Sequence, residues 1–364
     1  MKIAILVLGG LHPSGREQVV PSLLALLSEL AKQHDVHAFA LRHLDKPQSY
    51  ALNGFSVHDL GRPWAQARAV ARAMTAHGPF DIVHGFWADP AGALAARMGR
   101  RFGIPSVATF DSGEFESIPA IAYGSQRTAA GRRAVSEALS ATRIHVCTEF
   151  MARKVAAHAA SAAVIPLTSI AAGASPHAVR EIGASSLRIV QVASLSRVKN
   201  QRLLIDALAM LPESTAAHLD LIGEDLLDGD LQRRAIRAGV SARVTFHGFL
   251  PQDRLRPILA NADLYVQTSL HEAAAVAVLE AAANGLPVIG TRVGHVADWA
   301  PDRAHAIDAA DAAALSAAIV AARTEASHTA AMAARARRWV MDRDASWMAE
   351  QFDDLYRRTA TRGQ

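Results

Sequence analysis

Residues 269–295, SLHEAAAVAVLEAAANGLPVIGTRVGH, decide how the rest of the chain is read. The residues before them, Asp263 to Thr268, have the apolar character of an incoming strand. Ala273 to Ala283 is rich in Ala and Leu, with only isolated Val276 and Val278, which predicts a helix. Asn284-Gly285 supplies the left-handed residue that closes such a helix, and Pro287 opens a strand at Val288 to Gly290. Glu272 stands at the mouth of the predicted helix. Glu280 stands on its body, and at ~1.5 Å per residue the two are roughly 12 Å apart along the axis. That span suits one ligand with a sugar at one end and a ribose at the other. The backbone N–H groups between them, at Ala274, Ala275 and Val276, are the natural partners of an anion, and the small side chains let it come close.

The same pattern of strand, loop and helix recurs in both directions. Lys2 to Leu8 reads as a strand, followed by Gly9-Gly10 and a helix from about Gln18 to Lys32. This is the phosphate-binding arrangement of α/β folds, although a glycine turn serving geometry alone accounts for it equally well. Asp81 to His84 is a strand ending on a histidine. Thr109 to Glu114 is a polar strand end with a glycine, which reads as site lining. Within it, Asp111 is either a contact to a hydroxyl or a loop cap. Residues 167–186, LTSIAAGASPHAVREIGASS, are small, polar and punctuated by Pro and Gly, and are expected to link two domains. The pattern then restarts with a strand at Leu187 to Val192, a loop from Ala193 to Asn200, and a helix from Gln201 to Met210. Arg197 and Lys199 in that loop precede a helix start, where cations oppose the macrodipole, and so imply an anion nearby. The last segment, Arg335 to Arg358, is expected to be helical and to pack through Trp339, Trp347, Phe352 and Tyr356.

Length and composition narrow the class. A chain of 364 residues, half of them hydrophobic, can bury two cores. One cysteine excludes a disulfide framework and a cysteine-based zinc site, and fits a reducing compartment. The N-terminal apolar run is too short for a secretion signal, and no stretch has the length of a membrane span. The expected location is cytoplasmic. The formal charge of +4 points either to simple solubility or to an acidic partner, nucleotide phosphates or an anionic membrane surface. Arg68 and Arg72 are read as a solvated face, and the group Arg127, Arg132 and Arg133 as a solvated face or as a contact for an anionic acceptor or membrane surface. His271-Glu272 lacks the second histidine of a metallohydrolase motif, and the other histidines are scattered, so no metal site is expected. No nucleophile elbow or P-loop occurs, and no nucleic-acid partner is expected.

Taken whole, the string HE…LEAAANGLPVIGT…G resembles the donor-site signature of retaining glycosyltransferases of the GT-B fold, family-4 type, with its Glu-x7-Glu spacing. The resemblance implies an α/β fold of two Rossmann-like domains facing a cleft. These would be an acceptor-side domain over 1–168, a nucleotide-sugar donor domain over 169–340, and a helix over 341–364 returning to the first domain. It assigns Glu272 to the transferred sugar and Glu280 to the ribose hydroxyls. Lys199 matches the family lysine that meets the diphosphate. The family arginine falls on Ser194, and Arg197 is the nearest replacement for its charge. Leu250 lies in the turn that meets the base edge. Asp111 stands where many relatives have a histidine near the transferred sugar. The implied activity is metal-independent, hexosyl-type transfer from a UDP- or GDP-sugar, as substrate and without a cofactor, to a glycan, lipid-linked or small-molecule hydroxyl. Surface polysaccharide synthesis is the setting such a resemblance suggests, with peripheral contact at the inner membrane face. The alternatives are a nucleotide-sugar epimerase on the same scaffold, and a non-catalytic binding protein that keeps the fold.

Overall fold

The computed structural model of the chain describes residues 1–171, 178–179, 182, 186–308 and 310–361. It divides into two compact units, residues 1–172 with 343–364, and residues 173–342. Much of the proposed linker, at 172–177, 180–181 and 183–185, lies outside the described residues.

The first unit is built on an eight-stranded sheet. Its strands are β1 (Lys2–Val7), β2 (Asp35–Ala40), β3 (Gln48–Leu52), β4 (Phe55–Asp59), β5 (Ile82–Phe86), β6 (Ser106–Phe110), β7 (Arg143–Val146) and β8 (Ala163–Val164). Their spatial order is β3-β4-β2-β1-β5-β6-β7-β8, and all pairings are parallel except β3 with β4. Central strands such as IAILV are buried on both faces, which explains their unbroken apolar runs. Helices α1 (Pro21–Leu30), α2 (Gln66–His77), α3 (Ala93–Phe102), α4 (Ala129–Ala138) and α5 (Glu149–Val155) connect them. Thr128 and Thr148 cap α4 and α5 by accepting from Gly131 and Met151 N–H. The chain runs from β1 outward to β2 and returns to β5 on the other side of β1. The switch point therefore lies at the carboxyl ends of β1 and β5, directly before Gly9-Gly10.

The second unit has a six-stranded, wholly parallel sheet in the order β11-β10-β9-β12-β13-β14. The strands are β9 (Leu187–Val192), β10 (Ala217–Ile222), β11 (Val244–Phe246), β12 (Leu264–Gln267), β13 (Val288–Thr291) and β14 (His305–Ile307). Helices α6 (Gln201–Met210), α7 (Asp230–Arg237), α8 (Gln252–Asn261), α9 (Val276–Ala283), α10 (Gly294–Trp299), α11 (Ala312–Thr324) and α12 (Ala326–Met341) follow in order. Here the order reverses between β9 and β12, so the loops 193–200 and 268–275 share the switch point.

Several sequence expectations are corrected. The signature helix starts at Val276, three residues later than its composition suggests, because Ala275 takes a left-handed conformation (φ 70°, ψ 73°). Glu272, Ala273 and Ala274 are therefore loop residues, and the rise along one helix axis does not measure the separation of Glu272 from Glu280. Edge strand β3, helix α8 with Pro257 inside it, and short α10 have no counterpart in the sequence reading. The terminal helix is two helices. Trp339 ends in α12 of the second unit, whereas Trp347, Phe352 and Tyr356 lie on α13 (Ala345–Thr361), which belongs to the first.

Candidate active site

The site in the second unit is assembled by the two switch-point loops. Thr268 Oγ donates to the carbonyl of Lys199 at 3.0 Å, and Leu270 N–H donates to the carbonyl of Val198 at 2.8 Å. These bonds set the side chains of Lys199 and Glu272 against each other, with Nζ 2.6 Å from Oε1. Ser269 Oγ donates to the same Oε1 at 2.6 Å, and Ser269 is itself tied to β13 because Thr291 Oγ donates to its carbonyl at 2.6 Å. Glu272 is buried and Lys199 half-buried. The pair is a charge-assisted hydrogen bond, and removing either partner would strand the other in a poorly solvated place.

The chain then enters α9 without a side-chain cap. The loop before it is clamped from α10, where His295 N–H donates to the carbonyl of Ala274 at 3.0 Å. Gly294 makes this approach feasible. Its φ is +53°, and a Cβ there would lie 2.7 Å from the Ala274 oxygen and 3.1 Å from Glu272 Cβ. Ala274, Ala275 and Val276 thus form a tight left-handed entry into a short helix, whose dipole favours negative charge at this end. On the body of α9, Glu280 accepts from Gln252 Nε2 at 3.1 Å. Leu250 lies half-buried in the turn just before α8. Arg197 is exposed and forms no ion pair among the described residues. Ser269 and Gln252 were not singled out from sequence. A hydroxyl at a strand end was the only signal for the first, and the unrecognised helix α8 concealed the second.

A separate feature occupies the first unit. Gly9 and Gly10 border a cavity of about 450 Å³, together with Arg42, Trp87, Asp89 and Glu114. Gly10 has φ +83°, and a Cβ there would meet Val20 Cγ2 at 2.6 Å. Glu114, buried beneath the cavity, gathers the loop around it. Its carboxylate accepts from the N–H groups of Ala88 (3.2 Å), Asp111 (3.3 Å) and Ser112 (2.7 Å). Burial pushes this carboxyl up, while those donors oppose the shift. Asp111 interacts with Cys147, whose thiol is pushed well up by burial and by that carboxylate. Asp111 and the glycines therefore belong to the first unit, and Lys199, Arg197, Leu250, Glu272 and Glu280 to the second.

His84 lies in the middle of β5, which runs on to Phe86, and not at the strand's end as the sequence suggests. It is fully buried in a directed chain of hydrogen bonds. The Ile165 carbonyl can only accept, so His145 Nε2 donates to it at 2.8 Å. His145 Nδ1 then accepts from Thr109 Oγ at 2.8 Å, Thr109 Oγ accepts from His84 Nε2 at 2.7 Å, and His84 Nδ1 accepts from the Tyr356 hydroxyl at 2.8 Å. Burial holds both rings neutral, with His145 lowered to about 4.

Arginines collect on the outer helices of the same unit. A cavity of about 530 Å³ is lined by Arg68, Arg72, Arg97 and Arg101, and an adjoining one of about 1010 Å³ adds Arg100 and Arg133. Just before α2, Trp64 is 96% exposed. Among the described residues, no helix is long and apolar enough to cross a membrane.

Comparison with known proteins agrees with this architecture. The sequence model of "Glycosyl transferases group 1" matches residues 177–339, and that of "Glycosyltransferase Family 4" matches residues 19–167. The lipopolysaccharide core biosynthesis glycosyltransferase LpsE of Rhizobium meliloti is 42% identical over 89 residues, 24% of this chain and 25% of that protein. The D-inositol 3-phosphate glycosyltransferase of an Arthrobacter species is 26% identical over 239 residues, 60% of this chain and 56% of that protein. The chain thus spans between a quarter and just over half of the length of these relatives. Among solved structures, sucrose-phosphate synthase from Thermosynechococcus elongatus superposes with a TM-score of 0.81 at 17% identity, over 100% of both chains. Anabaena HepE in complex with UDP and glucose superposes with a TM-score of 0.73 at 18% identity, over 98% of this chain and 99% of that one. The chain therefore has the GT-B fold, with a glycosyltransferase-type domain in each half.

Proposed function

We propose that the protein is a retaining, metal-independent glycosyltransferase that moves a hexosyl group from a nucleoside-diphosphate sugar to a hydroxyl acceptor. The observation that carries this reading is the Lys199–Glu272 contact of 2.6 Å at the entrance to uncapped α9. It brings a cation, a helix N-terminus and a carboxylate to the switch point of a parallel sheet, where such folds bind nucleotides. The UDP and glucose named for HepE favour UDP over GDP as the nucleotide here.

In this mechanism the bond from the anomeric carbon to the diphosphate oxygen breaks, and a bond to the acceptor oxygen forms on the same face. The acceptor's proton passes to the departing phosphate. Charge accumulates on that phosphate, and Lys199, Arg197 and the N–H groups entering α9 stabilise it electrostatically. Glu272, fixed by Ser269, positions the sugar and faces its developing positive charge. Glu280 holds the ribose hydroxyls, with Gln252 orienting the carboxylate, and Leu250 lies against the base. Asp111 acts on the acceptor side through the loop that Glu114 organises. The cavity beside Gly9 and Gly10 receives the acceptor, where the Trp87 ring, Arg42 and Asp89 offer the mix of aromatic and polar contacts that suits a glycan. The arginine-lined cavities and exposed Trp64 support a peripheral contact with an anionic membrane at the cytoplasmic face, where a lipid-linked acceptor for polysaccharide synthesis would be met.

The test is calorimetric titration of UDP, GDP and ADP into the protein, repeated with Glu280→Gln. Saturable binding of one nucleotide, weakened at least about tenfold in the variant, is the expected result. A folded protein that binds none of the three refutes donor use and leaves a non-catalytic role. Conversion of a nucleotide-sugar to its epimer, without transfer, would replace transferase by epimerase. Co-sedimentation with anionic vesicles at low salt tests the membrane contact.

A further inference from the structure

Three histidines that are distant in sequence meet in the first unit. His37 on β2, His58 on β4 and His77 at the end of α2 each offer a ring nitrogen, and these atoms all lie within 4.8 Å of one another. His37 and His58 are buried and His77 is half-buried. We infer that these three imidazoles form a binding site for a borderline divalent transition-metal cation such as Zn²⁺ or Ni²⁺, which would pin the end of α2 to the outer strands.

The hydrogen bonds around the cluster carry this inference. Asp35 Oδ1 lies 3.1 Å from His37 Nε2 and can only accept, so the Nε2–H points at the carboxylate and the lone pair of Nδ1 faces inward. That lone pair meets His58 Nε2 at 2.9 Å, and the outer nitrogen of His58, Nδ1, lies 3.0 Å from Ser49 Oγ. Each inner nitrogen therefore has a polar partner on the far side of its ring. A carboxylate or hydroxyl on the outer nitrogen is the arrangement that orients metal-bound histidines and fixes their tautomer. Binding needs no net loss of a proton. The proton of His58 moves from Nε2 to Nδ1, Ser49 turns its hydroxyl to accept it, and the cation takes the place between the two rings. Tetrahedral zinc at about 2.0–2.1 Å from nitrogen sets its ligands roughly 3.3 Å apart, so the His37–His58 pair must open by a few tenths of an ångström.

His77 supplies the third ligand. Its ring lies over His58 with centroids 3.9 Å apart, and neither of its nitrogens has a hydrogen bond among the described residues. It sits at the last turn of a helix beside solvent, so it can rotate towards the cation and leave a fourth position to water. Burial disfavours protonation of His37 and His58, with smaller contributions from Lys2 and His77, and Asp35 lies 3.4 Å from Lys2. Neutral imidazole prefers zinc, nickel and copper over magnesium or calcium. None of the three borders the cavity beside Gly9 and Gly10, so the metal's role is structural.

The test uses the full chain without a polyhistidine tag, stripped with chelator and titrated with ZnCl₂, with CoCl₂ as a spectroscopic probe. One equivalent should bind, cobalt should give the ligand-field bands of a nitrogen-rich site, and the unfolding temperature should rise by several degrees at roughly a hundredfold excess over Kd. His77→Ala should keep the metal-free unfolding temperature and weaken binding at least about tenfold. His58→Phe, which preserves the ring packing, should abolish the cobalt bands. Absence of saturable binding by the tag-free protein overturns the site, as does affinity undiminished in His77→Ala.

Discussion

The hydroxyl of Tyr356 lies 2.8 Å from Nδ1 of His84, a contact between the C-terminal helix α13 and the central strand β5 of the first unit. It is the outer end of the buried chain that continues through Thr109 and His145 to the Ile165 carbonyl. Tyr356→Phe removes the donor that His84 Nδ1 accepts from among the described residues and leaves the ring's shape alone. The expected cost is about 1–3 kcal/mol, the penalty of an unsatisfied buried acceptor. Urea unfolding followed by tryptophan fluorescence measures it, and nucleotide affinity should be unchanged because Lys199, Glu272 and Glu280 all belong to the other unit.

The same chain predicts acid sensitivity. Burial lowers His145 to about 4, well below an unfolded histidine near 6.5. Between those values the unfolded chain binds the proton and the folded one does not, so stability rises with pH across this window. The stabilisation is complete above about pH 6.5 and is lost as pH falls towards about 4. His145 alone should remove roughly 2 kcal/mol between about pH 7 and about pH 5, with His84 acting in the same direction. Urea midpoints over that range measure the slope. A slope unchanged in His145→Gln would show that this group is not its source.

What was legible in the sequence was what repeats. Runs such as IAILV and LRIVQV, each followed by a small or polar loop and an Ala- or Leu-rich segment, revealed the parallel strands of both sheets. The two switch-point loops carrying Lys199 and Glu272 followed from them. What was not legible depends on partners far along the chain. The late start of α9 is imposed by Ala275 turning left-handed, and by α10 docking on the Ala274 carbonyl, whereas Ala propensity favours helix throughout. The division of the terminal helix at Asp342–Asp344 has no Gly or Pro to announce it. The sequence shows His84 only as a strand histidine, and it takes Tyr356, Thr109 and His145 together to reveal it as internal. The histidines at 37, 58 and 77 show no spacing that a motif could capture, because a sheet and a returning helix bring them together.

Lys199 is the cation that the proposed mechanism relies on most, and it already has an anion in Glu272. In Lys199→Met, turnover with the donor should fall by about two orders of magnitude or more, since a preorganised charge facing the leaving group is removed. Nucleotide affinity should fall less, because the helix N-terminus and Glu280 remain. Steady-state kinetics paired with calorimetry separates the two effects. Equal losses in both would make Lys199 a binding residue alone.

Gly294 tests whether the loop before α9 must sit where it does. The residue has φ +53°, and a methyl group would stand 2.7 Å from the Ala274 carbonyl and 3.1 Å from Glu272 Cβ, so Gly294→Ala meets strain and a clash together. The backbone strain costs about 1–3 kcal/mol. The clash can be relieved only by moving 272–275 away from α10, which lengthens the Lys199–Glu272 contact and re-aims the first N–H groups of α9. UDP affinity should therefore drop by at least about tenfold in protein that remains folded at room temperature. A stability loss of the expected size, accompanied by unaltered nucleotide binding and transfer, would mean that the position of this loop does not matter to the donor.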